Sequence, residues 1–124
     1  MLVKEIMKRP FVIDKDLTLS EAAKLMGSKN IGCLIFVSKD RIKGIITERD
    51  LLKNFSKNEK VSKVMAKDVI TIEPGESIEN AIDKMRTKKI KRLPVVENGK
   101  LVGIVTLTDI AANYEALEGS FFFE

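Results

Sequence analysis

Two short segments of this 124-residue chain carry the same side chains that could hold a phosphorylated ligand. Thr47 and Asp50 lie in GIITERD, and Thr106 and Asp109 lie in GIVTLTD, each residue 59 positions before its counterpart. A hydroxyl can donate to a phosphate oxygen, and a carboxylate can accept from both hydroxyls of a ribose. The same pattern also describes a helix N-cap. The repetition favours a ligand role in at least one copy, and a cap and a ligand contact can coexist.

The elements around the two motifs also repeat. Thr18 with Glu21 forms a capping box ahead of the first apolar helical stripe, and Ser77 takes the place of Thr18 in the second half. The stripes follow the spacing of an amphipathic helix, i, i+3, i+4 and i+7. Their residues are Leu19, Ala22, Ala23 and Met26 in the first half and Ile78, Ala81, Ile82 and Met85 in the second.

A hairpin follows each helix, and a second helix begins near Thr47 or Thr106. Asn98 and Gly99 are typical of a tight hairpin turn. Short extended segments, 11–13 and 69–71, precede the first helices. Each half is therefore predicted to fold as strand, helix, strand, strand, helix, with a polar linker over 54–60.

Length and charge limit the possible arrangements. A unit of about 60 residues is marginal alone, so we expect the two halves to pack around a pseudo-twofold axis as one module. The predicted boundaries are 1–58 and 59–118 for the repeats and 119–124 for an aromatic tail. Lys and Arg exceed Asp and Glu by 22 to 18, and the net charge of +4 is compatible with phosphorylated ligands and with nucleic acid.

The chain resembles a tandem cystathionine β-synthase (CBS) domain pair, also called a Bateman module. The resemblance covers residues 3–111 and rests on Met7 and Met65, on LSEAAKLM and IENAIDKM, on LPVV, and on GIITERDLL and GIVTLTDIA. It implies an α+β fold of two β-α-β-β-α repeats. It also implies a regulatory sensor that binds AMP, ADP, ATP or S-adenosylmethionine in clefts between the repeats, and association of modules as homodimers.

The resemblance implies roles for particular residues. Thr47 and Thr106 would contact phosphate, and Asp50 and Asp109 would contact ribose. Adenine needs an apolar slot with backbone hydrogen-bond partners, although each side chain proposed for it could equally be part of the core. The candidates for this slot are Val12, Ile13, Ile35, Ile70, Thr71 and Pro94.

The two copies differ at positions that could contact phosphate. Arg49 in the first motif corresponds to Thr108 in the second, and Cys33 corresponds to Arg92. A guanidinium group can bind phosphate through two parallel hydrogen bonds, and either arginine could instead be a solvated surface charge. We therefore assign Arg49, Arg92 and Thr108 to the phosphate contacts and expect two sites of unequal affinity.

A basic run extends over residues 84–92. Its cations could complement the negative end of a helix, or they could form a polyphosphate or nucleic-acid surface at Lys88, Lys89 and Lys91. Nucleic-acid binding is therefore kept as an alternative function.

Several classes of protein are disfavoured. The chain has no His and one Cys, so no catalytic base, zinc site or intrachain disulfide is expected, and neither an enzyme nor a resident cofactor is predicted. An adenine nucleotide or S-adenosylmethionine would act as a regulatory ligand, signalling to an effector protein that the sequence does not identify. The longest uncharged apolar stretch is too short to span a bilayer, and we expect a cytoplasmic protein with no membrane partner. Phe121, Phe122 and Phe123 should dock on the module or on a partner.

Overall fold

The computed structural model describes residues 1–113, which form two compact units. The Asp50 unit comprises Pro10–Val69, and the Asp109 unit comprises Met1–Arg9 together with the chain from Ile70 onward. The compact units do not coincide with the predicted repeats 1–58 and 59–118, because residues 1–9 belong to the Asp109 unit. The repeat boundaries in the sequence stay a prediction. The aromatic tail lies outside the described residues.

Helices and strands alternate as an α+β fold. A further helix begins after the last strand and covers residues 107–113 of the described chain. In chain order the other elements are α1 (Val3–Ile6), β1 (Val12–Ile13), α2 (Leu19–Lys29), β2 (Cys33–Ser38), β3 (Arg41–Thr47), α3 (Glu48–Lys53), α4 (Val61–Val64), α5 (Ile78–Lys88), β4 (Arg92–Glu97) and β5 (Lys100–Thr106).

The sheets of the two units differ at one edge. In the Asp50 unit the strand order is β1-β2-β3, with β1 parallel to β2 and β2 antiparallel to β3. In the Asp109 unit β4 pairs with β5, and a single parallel bridge joins Ile72 to Val95. The predicted strand over 69–71 is therefore wrong in position. The predicted α+β class with paired repeats is confirmed, whereas α1 and α4 were not predicted.

Side-chain caps begin the two long helices. Thr18 Oγ1 accepts from the Glu21 N–H at 3.1 Å, and Glu21 Oε1 accepts from the Thr18 N–H at 2.9 Å. Ser77 Oγ accepts from the Asn80 N–H at 3.1 Å. Both predicted caps are confirmed, and they satisfy N–H groups that have no partner inside a helix.

The apolar stripes of α2 and α5 form one wall of each core. Three of the four positions are buried in each helix, whereas Ala23 is exposed and its counterpart Ile82 is half-buried. The face that turns inward is thus slightly narrower than predicted. The buried residues are Leu19, Ala22 and Met26 in α2 and Ile78, Ala81 and Met85 in α5.

The two hairpins turn through the same backbone conformation with different residues. Asn98 and Gly99 have φ of 52° and 78°, and Lys39 and Asp40 have φ of 52° and 65°. Two successive positive φ angles match the right-handed twist of the flanking strands. The first turn adopts them without the asparagine and glycine that favour them.

A short helix completes each unit. α1 does so in the Asp109 unit and α4 in the Asp50 unit. The Val3 N–H of α1 donates to the Glu76 carbonyl at 2.8 Å, and the Val61 N–H of α4 donates to the Leu17 carbonyl at 2.8 Å. Both valines have no solvent exposure. α1 and α4 therefore occupy matching places in the two units.

The glycine that opens each motif makes room for these segments. A Cβ at Gly44 would lie 2.5 Å from Met65 Sδ and 2.9 Å from the Ala66 carbonyl oxygen. A Cβ at Gly103 would lie 2.7 Å from Met7 Sδ, while the nearest backbone atom would be 3.3 Å away. Both glycines are required for close approach.

We expect Gly44→Ala to lower the free energy of unfolding by about 1–3 kcal/mol, because the new methyl group overpacks against backbone. Gly103→Ala should lower it less, since a flexible side chain can move away. Urea denaturation measures both. Gly27→Ala is the control, because a Cβ at this helical position meets nothing within 4 Å, and equal losses in all three variants would contradict this explanation.

Asp16 links the loop before α2 to α4 through hydrogen bonds. Its carboxylate accepts from the Ser62 hydroxyl and, at 2.9 Å, from the Ser62 N–H. These two bonds, the side-chain bond foremost, hold the pKa of Asp16 below its usual value. Ionised Asp16 therefore contributes stability above about pH 4, and this contribution is lost as the pH falls through the lowered pKa.

Ser62→Ala should consequently make the unfolding free energy less sensitive to acid between about pH 6 and about pH 3. Urea denaturation at the two pH values compares the variant with the natural chain. Ser28→Ala is the matched control, because the Ser28 hydroxyl donates to the Leu25 carbonyl and not to a carboxylate. An unchanged acid dependence in Ser62→Ala would show that this bond contributes nothing.

Candidate functional site

The Asp50 motif is a closed capping box at the end of β3. Asp50 Oδ2 accepts from the Thr47 N–H at 2.9 Å and from Thr47 Oγ1 at 3.1 Å, and Thr47 Oγ1 accepts from the Asp50 N–H at 3.4 Å. Both side chains are half-buried. Both recorded bonds to the carboxylate end on Oδ2, so Oδ1 keeps its acceptor capacity.

The Asp109 motif has the same backbone and a different partner for its carboxylate. The Asp109 N–H donates to Thr106 Oγ1 at 3.1 Å, as in a cap. Asp109 Oδ1, however, lies 2.9 Å from Lys8 Nζ. The Asp109 side chain is 13% exposed and the Lys8 side chain 69% exposed, so a mostly buried carboxylate pairs with a mostly solvated ammonium group.

Lys8 reaches Asp109 because its backbone forms an antiparallel bridge with the strand ahead of the motif. The Lys8 N–H donates to the Ile104 carbonyl, and the Lys8 carbonyl accepts from the Ile104 N–H, both at 2.9 Å. Ala66 makes the same two bonds with Ile45, also at 2.9 Å. The position in the Asp50 unit that matches Lys8 on the strand therefore holds a methyl group instead of an ammonium group.

The other predicted phosphate contacts lie at different distances from the motifs. Arg92 begins β4 and is the cross-strand neighbour of Thr106, as Cys33 is of Thr47. Arg49 and its counterpart Thr108 are exposed helical residues. The register thus places Arg92 beside its motif threonine, whereas Arg49 lies in the first turn of α3, two residues after Thr47.

The predicted adenine-binding residues are mostly buried. Ile35 and Pro94 are fully buried, Ile13 belongs to the core, and Val12, the register partner of Ile35 on β1, is 47% exposed. In the Asp109 unit Ile70 and Thr71 are half-buried, and the Thr71 carbonyl accepts from Lys84 Nζ at 2.7 Å.

The three lysines proposed for nucleic acid lie around the carboxyl end of α5. Lys88, Lys89 and Lys91 are exposed, and Lys89 caps the helix in the left-handed conformation with φ of 56°. Cations at this end complement the helix dipole, which accounts for their charge without a nucleic acid.

An apolar groove of about 670 Å³ lies elsewhere in the Asp50 unit, between α2 and α3. Its lining includes Ala23, Leu51, Leu52 and Phe55 but neither Thr47 nor Asp50. Leu52 is 73% exposed and Phe55 85% exposed. The groove is therefore separate from the predicted ligand contacts.

Within residues 1–113, no helix is long and apolar enough to cross a membrane. The same part of the chain holds no group of three or more His, Cys, Asp or Glu side chains placed to bind a metal ion.

Lys8 is the site residue that sequence reasoning missed. Met7 aligns with Met65, and the residues that follow them, Lys8 and Ala66, therefore align as well. That alignment gave no reason to place either residue beside a motif, because the bridge that does so joins residues far apart in the chain.

The fold and the paired motifs are those of a domain repeated in tandem. The CBS domain model matches residues 3–57 and 61–116, and the chain belongs to the CBS domain family. The predicted resemblance is therefore confirmed.

Individual proteins are also similar to this chain in structure or in sequence. The CBS domain pair of protein MJ0100, solved in complex with 5′-methylthioadenosine and S-adenosyl-L-methionine, is 33% identical, with a TM-score of 0.86 over 94% of this chain and 97% of that one. The CBS domain-containing protein YhcV of Bacillus subtilis is 35% identical over 83% of this chain and 77% of its own length. An uncharacterized 17.7 kDa protein of Acidianus ambivalens is 39% identical over 82% of this chain, which spans 65% of that protein.

Proposed function

We propose that this CBS pair is a regulatory module that binds adenosine-containing ligands at its Thr-x-x-Asp motifs. The observation that carries the proposal is the repeated geometry, in which a threonine hydroxyl at the end of a strand accepts from the N–H of a half-buried aspartate in each unit. The 33% identical MJ0100 pair, whose ligands are both adenosine derivatives, supports the same class of ligand.

Each motif offers complementary groups to such a ligand. Asp50 and Asp109 accept hydrogen bonds from ribose hydroxyls, and bonds to a charged acceptor are the stronger kind. Thr106 donates to a phosphate oxygen or another acceptor on the ligand, and Thr47 does so by turning its hydroxyl hydrogen away from Asp50 Oδ2. Arg92, beside Thr106 across the strand pair, adds a group suited to phosphate. AMP, ADP, ATP, S-adenosylmethionine and 5′-methylthioadenosine share the adenosine part that these contacts require.

Binding produces a signal only if the ligand has different affinities for two states of the module. The output is a change in conformation or in association that an effector protein or a second copy of the chain detects. Catalysis is not part of the proposal, because the motif threonines have no histidine to activate them.

A thermal-shift series with the five ligands tests the proposal. A ligand at 100 times its Kd should stabilise the natural chain by about 2.7 kcal/mol. Asp50→Asn combined with Asp109→Asn should abolish most of the shift, because ribose loses a charged acceptor in each unit. Asp83→Asn is the control, since Asp83 is exposed and pairs with Arg86 on the same helix. The proposal fails if the double variant keeps the full shift, or if no ligand stabilises the natural chain.

We also propose self-association through the groove between α2 and α3. Exposed Leu52 and Phe55 support it, because large exposed apolar side chains gathered in one patch mark interaction surfaces. Phe55→Ser should shift sedimentation toward the monomer and leave ligand affinity unchanged, since neither Thr47 nor Asp50 lines the groove. Val102→Ser, at a residue 39% exposed on β5, is the control, and an unaltered sedimentation profile in Phe55→Ser would contradict the proposed surface.

A further inference from the structure

We propose that Lys8 makes the Asp109 site selective for adenosine ligands that carry a phosphate, whereas the Asp50 site, with Ala66 in the matching place, favours adenosine ligands without one. This inference rests on the ligand site proposed above and assigns a specificity-determining residue to it.

The first step is that the two sites share a backbone and differ in a side chain. Lys8 with Ile104 and Ala66 with Ile45 form the same pair of 2.9 Å hydrogen bonds. Each follows a methionine packed against the glycine of the neighbouring strand. The position beside the aspartate is therefore fixed by the fold, and the residue that occupies it decides the local charge.

The second step concerns charge. At the Asp109 motif, Lys8 pairs with the carboxylate and Arg92 lies opposite the motif threonine. At the Asp50 motif, Ala66 takes the place of Lys8 on the strand, and Cys33 replaces the arginine opposite the motif threonine. Unlike charges attract most strongly where burial limits screening, so a phosphate is favoured at the first site over the second.

The third step is that Lys8 is able to exchange partners. Its side chain is 69% exposed on a flexible stem, while Asp109 is held by the strand end and is 13% exposed. When ribose hydroxyls bind the carboxylate, the ammonium group turns to the phosphate of the same ligand. A neutral ligand such as 5′-methylthioadenosine displaces Lys8 from Asp109 and provides no new acceptor of comparable charge.

The Asp50 site lacks this exchange. The recorded bonds to its carboxylate, within residues 1–113, come from the N–H and the hydroxyl of Thr47, and both leave Oδ1 for ribose. A neutral ligand such as 5′-methylthioadenosine binds there without displacing a cation.

The test measures AMP and 5′-methylthioadenosine by titration calorimetry with one site silenced. In the Asp50→Asn background, where Asp109 remains, Lys8→Met should weaken AMP about tenfold and leave 5′-methylthioadenosine unchanged or slightly tighter. Lys8→Arg should retain most of the preference for AMP. In the Asp109→Asn background, Ala66→Lys should strengthen AMP several-fold. The effect of Lys8→Met on AMP should diminish at high salt, because the ammonium group is largely exposed.

Lys4→Met is the matched control, since Lys4 is an exposed cation in the same N-terminal segment. The inference is overturned if Lys8→Met weakens both ligands equally, which would make Lys8 a positioning residue for Asp109, or if Lys4→Met reproduces its effect. Binding of both ligands with no dependence on Lys8 overturns the inference alone. Absence of binding by either ligand to the natural chain overturns the proposed function with it.

Discussion

The close approach of a methionine side chain to a glycine in the neighbouring strand is the contact on which both units depend. A methyl group at Gly44 or Gly103 would occupy the space of Met65 or Met7. The residue after each methionine then bridges the strand one position further on, beside the Thr-x-x-Asp motif. The glycine that opens each motif thus seats a distant segment of chain, and it is not part of a phosphate-binding loop.

This contact also explains which parts of the fold the sequence could predict. Both caps, the buried stripes of α2 and α5 and the hairpins follow from neighbouring residues, so periodicity and turn chemistry were sufficient. α1 and α4, with four residues each, are too short to show a period. Both helices contact residues that are remote in sequence, so residue spacing cannot predict to which unit each helix belongs.

The candidate site divides in the same way. Thr47 and Asp50, like Thr106 and Asp109, could be paired from sequence because three residues separate them at the start of a helix. Lys8 could not be added, since only the fold carries it to Asp109. Ile35 and Pro94 were proposed for adenine, and both are fully buried because they occupy central strand positions, where an apolar sequence cannot separate a pocket wall from core.

The two repeats therefore contain two kinds of equivalent position, those that steric limits hold constant and those whose side chains can change. Gly44 and Gly103 are fixed by steric limits, because any side chain there collides with the crossing segment. Positions 8 and 66 pair with the strand through backbone atoms alone, so their side chains can change without altering the bridge. Position 8 brings an ammonium group to the Asp109 carboxylate, and position 66 holds the matching place on the other strand. We therefore expect the two copies to differ in ligand preference more readily than in fold.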